Sequence, residues 1–196
     1  MGLNLFSDFE HPEGLTLVPL WLSKHQQDAL LESIQSTQWS TELERRVQHF
    51  GYRYSYQSSS VGAIGSAPPF SPLLSDIAER LHDEGHMRSP ANQCIVNEYI
   101  VDEKRTQGIS AHCDHPKLFG PTVVTLSLLE SWSMRFTRDG YEPHEFLLDV
   151  GSIAVMSGEA RYDWAHSIPA RRFERSGGIR VRRHRRISVT FRTVEP

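Results

Sequence analysis

His112-Cys113-Asp114 is the stretch from which the fold and chemistry of this 196-residue chain are read. It lies in residues 109–114, a short run with strand character, in which side chains alternate between faces. The histidine and the aspartate are therefore expected on one face, with Cys113 packed on the other. These two ligands fill only two corners of a metal's coordination sphere, and His166 is the candidate for a third. Two imidazoles and a carboxylate on one face of an octahedron, with three positions open, suit a non-haem Fe(II) oxygenase centre. Zinc held by the same three residues is the chemical competitor, since a hydrolytic zinc site also keeps an open position. His115 and His144 are further histidines, the first alternating to the wrong face.

Downstream, Arg186-Ile187-Ser188-Val189-Thr190-Phe191-Arg192 reads as a strand with 186, 188, 190 and 192 on one face and three apolar side chains on the other. Arginines turned into a barrel need anionic partners, because an unpaired buried charge is costly. A dicarboxylate co-substrate would satisfy this, giving one carboxylate to the metal and one to a guanidinium fork. Solvent-facing salt bridges are the plainer reading of the same arginines.

Around these pieces the chain reads as mainly β. Segments at 93–100, 109–114, 123–129, 133–138, 144–148, 152–156, 162–168 and 186–193 are short, and turn residues such as Gly120-Pro121 and Asp139-Gly140 separate several of them. About eight strands at this spacing predict a β-sandwich or jelly roll. Ahead of them, Ser23-Lys24-His25-Gln26 is a capping box opening a helix to about Ser36. Ser71-Pro72 opens a second helix to about Glu84, with Gly85 as its stop. The fold class is thus α+β, mainly β, with N-terminal helices packed outside a jelly roll. A single domain is expected, divided into an N-terminal part (1–92) and a core (93–196).

Residues 45–56 interleave arginines with Tyr52, Tyr54 and Tyr56, and suit either a base-stacking surface or an ordinarily packed edge strand. The Ser-, Gly- and Pro-rich run at 57–70 has the length of a lid loop. Net charge is −3, yet nine of the 21 lysines and arginines fall in 171–192 with one acid, Glu174. That basic end suits a polyanion or a solvated arginine-rich loop. Two cysteines, no signal-peptide layout and no apolar run of membrane-spanning length predict a reduced intracellular protein, cytoplasmic or nuclear, without a membrane.

From Asn97 to Arg192 the chain resembles the AlkB family of Fe(II)- and 2-oxoglutarate-dependent dioxygenases. The matching pieces are Asn97-Glu98-Tyr99, His112-Cys113-Asp114, Gly158 through His166, and Arg186 through Arg192, in that order. The resemblance implies a double-stranded β-helix in which His112, Asp114 and His166 bind Fe(II). It implies that Arg186 holds the distal carboxylate of 2-oxoglutarate with Asn97 and Tyr99, and that Arg192 lies near the chelating carboxylate. Ser188 falls where the repair enzymes carry Asn, and is carried over as a cofactor contact. Arg46 to Tyr54 and the two helices, within residues 1–92, resemble the family's N-terminal extension, which forms a nucleotide-recognition lid and would make Tyr52 and Tyr54 substrate contacts. Arg161 would orient ligands or substrate, or serve as a buried structural arginine.

The run Arg161-Tyr162-Asp163-Trp164-Ala165-His166 looks most like the branch containing tRNA wobble-uridine hydroxylases and related bacterial proteins. His115-Pro116-Lys117 stands where the repair members carry an acid, which points away from direct repair of alkylated adenine or cytosine. The implied activity is O2-dependent hydroxylation or oxidative demethylation of a modified base in RNA or DNA by a monomer. The same chemistry on a protein side chain or small molecule, and a non-catalytic jelly-roll binding module, are the rival readings.

Overall fold

Residues 11–54 and 64–194 are described by a computed structural model. Eight strands make its centre, four in each of two facing sheets. β5 (Gln93–Ile100), β7 (Phe119–Leu128), β10 (Ile153–Met156) and β14 (Arg185–Val194) lie in one sheet. β6 (Ile109–His112), β8 (Trp132–Thr137), β9 (His144–Leu148) and β11 (Ala165–Ile168) form the other. β1 (Leu15–Val18) and β2 (Val47–Phe50), from the N-terminal part, extend the first sheet at its two edges, giving the order β1-β10-β7-β14-β5-β2. The second sheet runs β6-β11-β8-β9. All pairings are antiparallel. This is the jelly roll expected from the strand count, in the double-stranded β-helix form that the resemblance implies.

β14 is the organising strand. Hydrogen-bonded to β5 on one side and β7 on the other, it is buried on both faces. Ile187, Val189 and Phe191 pack with Cys94, Val96, Val124 and Leu126 under α1 (Lys24–Ser36) and α2 (Pro72–Asp83). The other face looks into the barrel. Both helices begin as read: Ser23 and Gln26 make the reciprocal capping box, and Ser71 caps α2 with Pro72 behind it. α1 buries Leu30 and Ile34 together with Gln27, whose amide donates to the Leu22 carbonyl, while Ala29 is only partly covered.

Four expectations are corrected. Gly120-Pro121 lies inside β7 rather than in a turn. A Cβ on Gly120 would stand 2.1 Å from the Thr193 hydroxyl, so glycine there permits the close crossing of β7 and β14. The expected strand at 162–168 is first a short helix, α3 (Gly158–Tyr162), and becomes β11 only at Ala165. The arginine-rich segment is an antiparallel hairpin of β12 (Phe173–Ser176) and β13 (Ile179–Arg182) rather than a loop. Finally, β6 ends at His112, and Cys113 is exposed rather than packed. β3 (Tyr52–Tyr54) pairs with β4 (Ile64–Ser66), and the rest of the expected lid, 57–63, lies outside the described residues, as does Tyr56. No described helix is long and apolar enough to cross a membrane.

Candidate metal centre

β6 enters beside β11 because Gly108 leaves room: a Cβ there would lie 2.3 Å from the Ile168 carbonyl oxygen. The pairing puts His112 directly across from His166, with ring centroids 4.5 Å apart. Asp114, two residues beyond His112 and outside the strand, turns its carboxylate in to meet them. One ligand atom from each of the three lies within 4.8 Å of the others. The Nδ1 of His112 donates to the Ser110 carbonyl at 2.8 Å, which leaves its Nε2 free to ligate.

The chain holds this loop from outside. Arg161, on α3, is buried and donates to the carbonyls of Asp114, His115 and Phe119. It therefore has no face to offer a substrate and acts on the backbone that carries Asp114. Arg192 pairs with Asp114 Oδ1 at 2.5 Å and donates to Gln93 across the ladder. Burial works to raise the Asp114 carboxyl, but Arg192, His166, His112 and Arg161 together hold it below its ordinary value. Burial pushes the His166 imidazole down to about 4, so it is neutral, as a ligand must be.

The register of β14 explains the remainder. Cross-strand partners share a face, so Arg186 stands with Tyr99, Ser188 with Asn97 and Ser127, and Arg192 with Gln93. Arg186 is 0% exposed. It donates once, to Ser127 Oγ at 2.8 Å, and lies over the Tyr99 ring; its Nε and Nη1 have no partner. Burial lowers it to about 10, with no carboxylate facing it. Asp114 Oδ2 and His166 Nδ1 are likewise buried without partners. Unpartnered buried atoms on Arg186 and in the His112, Asp114 and His166 cluster fit a metal chelated by a dianion.

The comparisons agree with this geometry. The model of the 2OG-Fe(II) oxygenase superfamily matches residues 32–192. The chain belongs to that superfamily. Its relatives include AlkB homologues. Mouse ALKBH8, a tRNA (carboxymethyluridine(34)-5-O)-methyltransferase, is 32% identical over 93% of this chain, which spans 31% of that protein. A Caenorhabditis elegans DNA N6-methyl adenine demethylase is 25% identical, over 92% of this chain and 60% of its own length. The solved structure of OsALKBH1 superposes with a TM-score of 0.63 at 15% identity, covering 92% of this chain and 98% of that one, and so shares its fold. As a 2OG-Fe(II) oxygenase, this is an enzyme that uses Fe(II), 2-oxoglutarate and O2, and His112, Asp114 and His166 are the residues that could hold the iron.

Other readings fall differently. Tyr52 is half-buried against Leu118, Phe119 and Val194, and Tyr54 is placed by its backbone in β3. Arg45 and Arg46 are not free to hold phosphates. Arg46 pairs with the buried Glu98, while Arg45 donates to Asn97 Oδ1 at 2.8 Å and stands 6.0 Å from the Tyr99 ring. Arg45, Gln93 and Ser127, which contact Asn97, Arg192 and Arg186, are not singled out by the sequence. The available signal was polarity: Gln93 opens, and Ser127 interrupts, strands that are otherwise mostly apolar.

Proposed function

We propose that this oxygenase hydroxylates or oxidatively demethylates a modified base in nucleic acid. The observation that carries the site assignment is Arg186, a fully buried guanidinium facing no anion, in the barrel that also holds the His112, Asp114 and His166 cluster. In this reading Arg186, with Tyr99 and Asn97, binds the distal carboxylate of 2-oxoglutarate, and Ser188 and Arg192 line the end nearer the metal. When bound, Fe(II) with 2-oxoglutarate and O2 supplies the oxidation of a substrate C–H bond, releasing succinate and CO2. The protein's part is to bind, orient and exclude side reactions. Ser127 orients the Arg186 fork, Arg161 holds the Asp114 loop, and Arg192 keeps Asp114 ionised. Hydroxylation at an N-methyl carbon gives a product that collapses to formaldehyde and the demethylated base.

The nucleic-acid substrate is supported by what the relatives' names state, tRNA for one and DNA N6-methyl adenine for another. A monomer in a reducing intracellular compartment suits the two free cysteines. The test is anaerobic titration with Fe(II) and 2-oxoglutarate, then succinate formation on admitting air with a panel of modified RNA and DNA oligomers. Succinate rising with one oligomer names the substrate class; cofactor binding without stimulation moves the search to proteins and small molecules. His112→Ala and His166→Ala should each abolish turnover with the fold intact. Full activity in either variant would remove the ligand assignment.

A further inference from the structure

We propose that the β12–β13 ribbon grips the phosphate backbone of a nucleic-acid strand next to the nucleotide presented to the metal centre, an inference that rests on the nucleic-acid reading above. The register pairs Phe173 with Arg182 and Arg175 with Arg180, so these four side chains share one face, and all four are exposed. Like charges directly opposite one another destabilise a ladder. Nevertheless Arg175, Arg180 and Arg182 have no ion-pair partner among the described residues; the guanidinium of Arg180 lies over the Phe173 ring at 3.7 Å.

Their neighbours are all engaged. Arg171 and Arg183 are taken by Glu174, Arg185 by Glu98, and Arg172 by the carbonyls of Asp102 and Glu103. The excess charge is therefore confined to one outward face, while Glu174 on the other face ties the ribbon to Ser133. Residues two apart on a strand repeat at about 6.8 Å, close to the step between successive phosphates of an extended strand. Guanidinium forks suit phosphates, and an aromatic ring beside them suits a base or ribose. Phe173 follows His166 by seven residues, which puts the start of the ribbon within about 25 Å of that residue.

The test compares the full chain with an Arg175→Gln/Arg180→Gln/Arg182→Gln variant. A labelled, unmodified single-stranded RNA oligonucleotide is titrated between about 50 and 200 mM salt. The slope of log K against log salt should shrink by about 2, at roughly 0.7 per phosphate, with affinity falling on the order of tenfold. Binding of Fe(II) and 2-oxoglutarate and the thermal midpoint should not move, and lysine at the three positions should restore most of the slope. An unchanged slope in the glutamine variant overturns the ribbon as a phosphate contact. No salt-dependent RNA or DNA binding by the unaltered chain would instead remove the nucleic-acid reading itself.

Discussion

Arg186 is buried with a single hydrogen bond, and the two remaining nitrogens of its guanidinium are unmatched. An isolated buried cation is a cost that only an anion beside it offsets. Arg186→Met should therefore leave the midpoint of the cofactor-free protein no lower than wild type, with a gain of up to about 1–4 kcal/mol. The same variant should lose all stabilisation by 2-oxoglutarate. A marked fall in the cofactor-free midpoint would overturn the reading of an uncompensated charge. Asn97 offers a subtler case. Arg45 donates to its Oδ1, which turns the amide NH2 toward the other residues of its face. Arg45→Ala should weaken 2-oxoglutarate binding about tenfold, near 1.4 kcal/mol, with Arg45→Lys recovering part of it. Calorimetric titration with Mn(II) in place of iron checks this, and unchanged affinity would sink it. At this scale the candidate ligands were legible because few side-chain types bind iron. Their supporters were not, because a serine or glutamine in a strand carries no mark of what it will face.

At the scale of elements, alternation within β14 made Arg186, Ser188, Thr190 and Arg192 readable as one face. The same rule misplaced Cys113, because β6 stops at His112 and the chain then follows the bonds that Arg161 makes to the carbonyls of 114, 115 and 119. The hairpin of β12 and β13 was hidden for a related reason. Its arginines looked like a solvated loop, whereas Glu174 binds Arg171 and Arg183, which flank the hairpin. Burial raises the Glu174 carboxyl, but bonds from Arg183, Ser133 and Arg175 outweigh it and hold the group at about 2. A carboxylate depressed on folding contributes stability above its ordinary value of 4.5, and that contribution is lost as pH falls toward 2. The amount is on the order of 3 kcal/mol. Glu174→Gln should cost about 3–5 kcal/mol at pH 7, by stranding Arg183, and should flatten the stability profile between those two values. Denaturant unfolding of both proteins at pH 7 and pH 3 measures it; parallel profiles would show that Glu174 is not the titrating group.

For the whole molecule, the barrel holds buried polar atoms without partners on Arg186, Asp114 and His166 that a metal and a dianion would satisfy, so folding and loading are linked. At cofactor concentrations about 100 times Kd the gain is about 2.7 kcal/mol. For a chain of this size that is a rise of roughly 5–10 °C in the thermal midpoint. Mn(II) with 2-oxoglutarate should produce it and neither alone should produce all of it; a midpoint indifferent to both would count against the site. The amino-acid sequence alone determined the class of fold, the two capped helices and the chemistry of the centre, because strand alternation, capping and metal-ligand preference are local rules that need no partner. Tertiary structure decided which arginines are spent on Glu98, Glu174 and Asp114 and which remain free on the ribbon. It also decided where β6 ends, and that Arg45 serves Asn97. Apart from the nearby arginines of Glu174, these are pairings between residues 50 or more positions apart, which depend on register across the sheets and which no local pattern encodes.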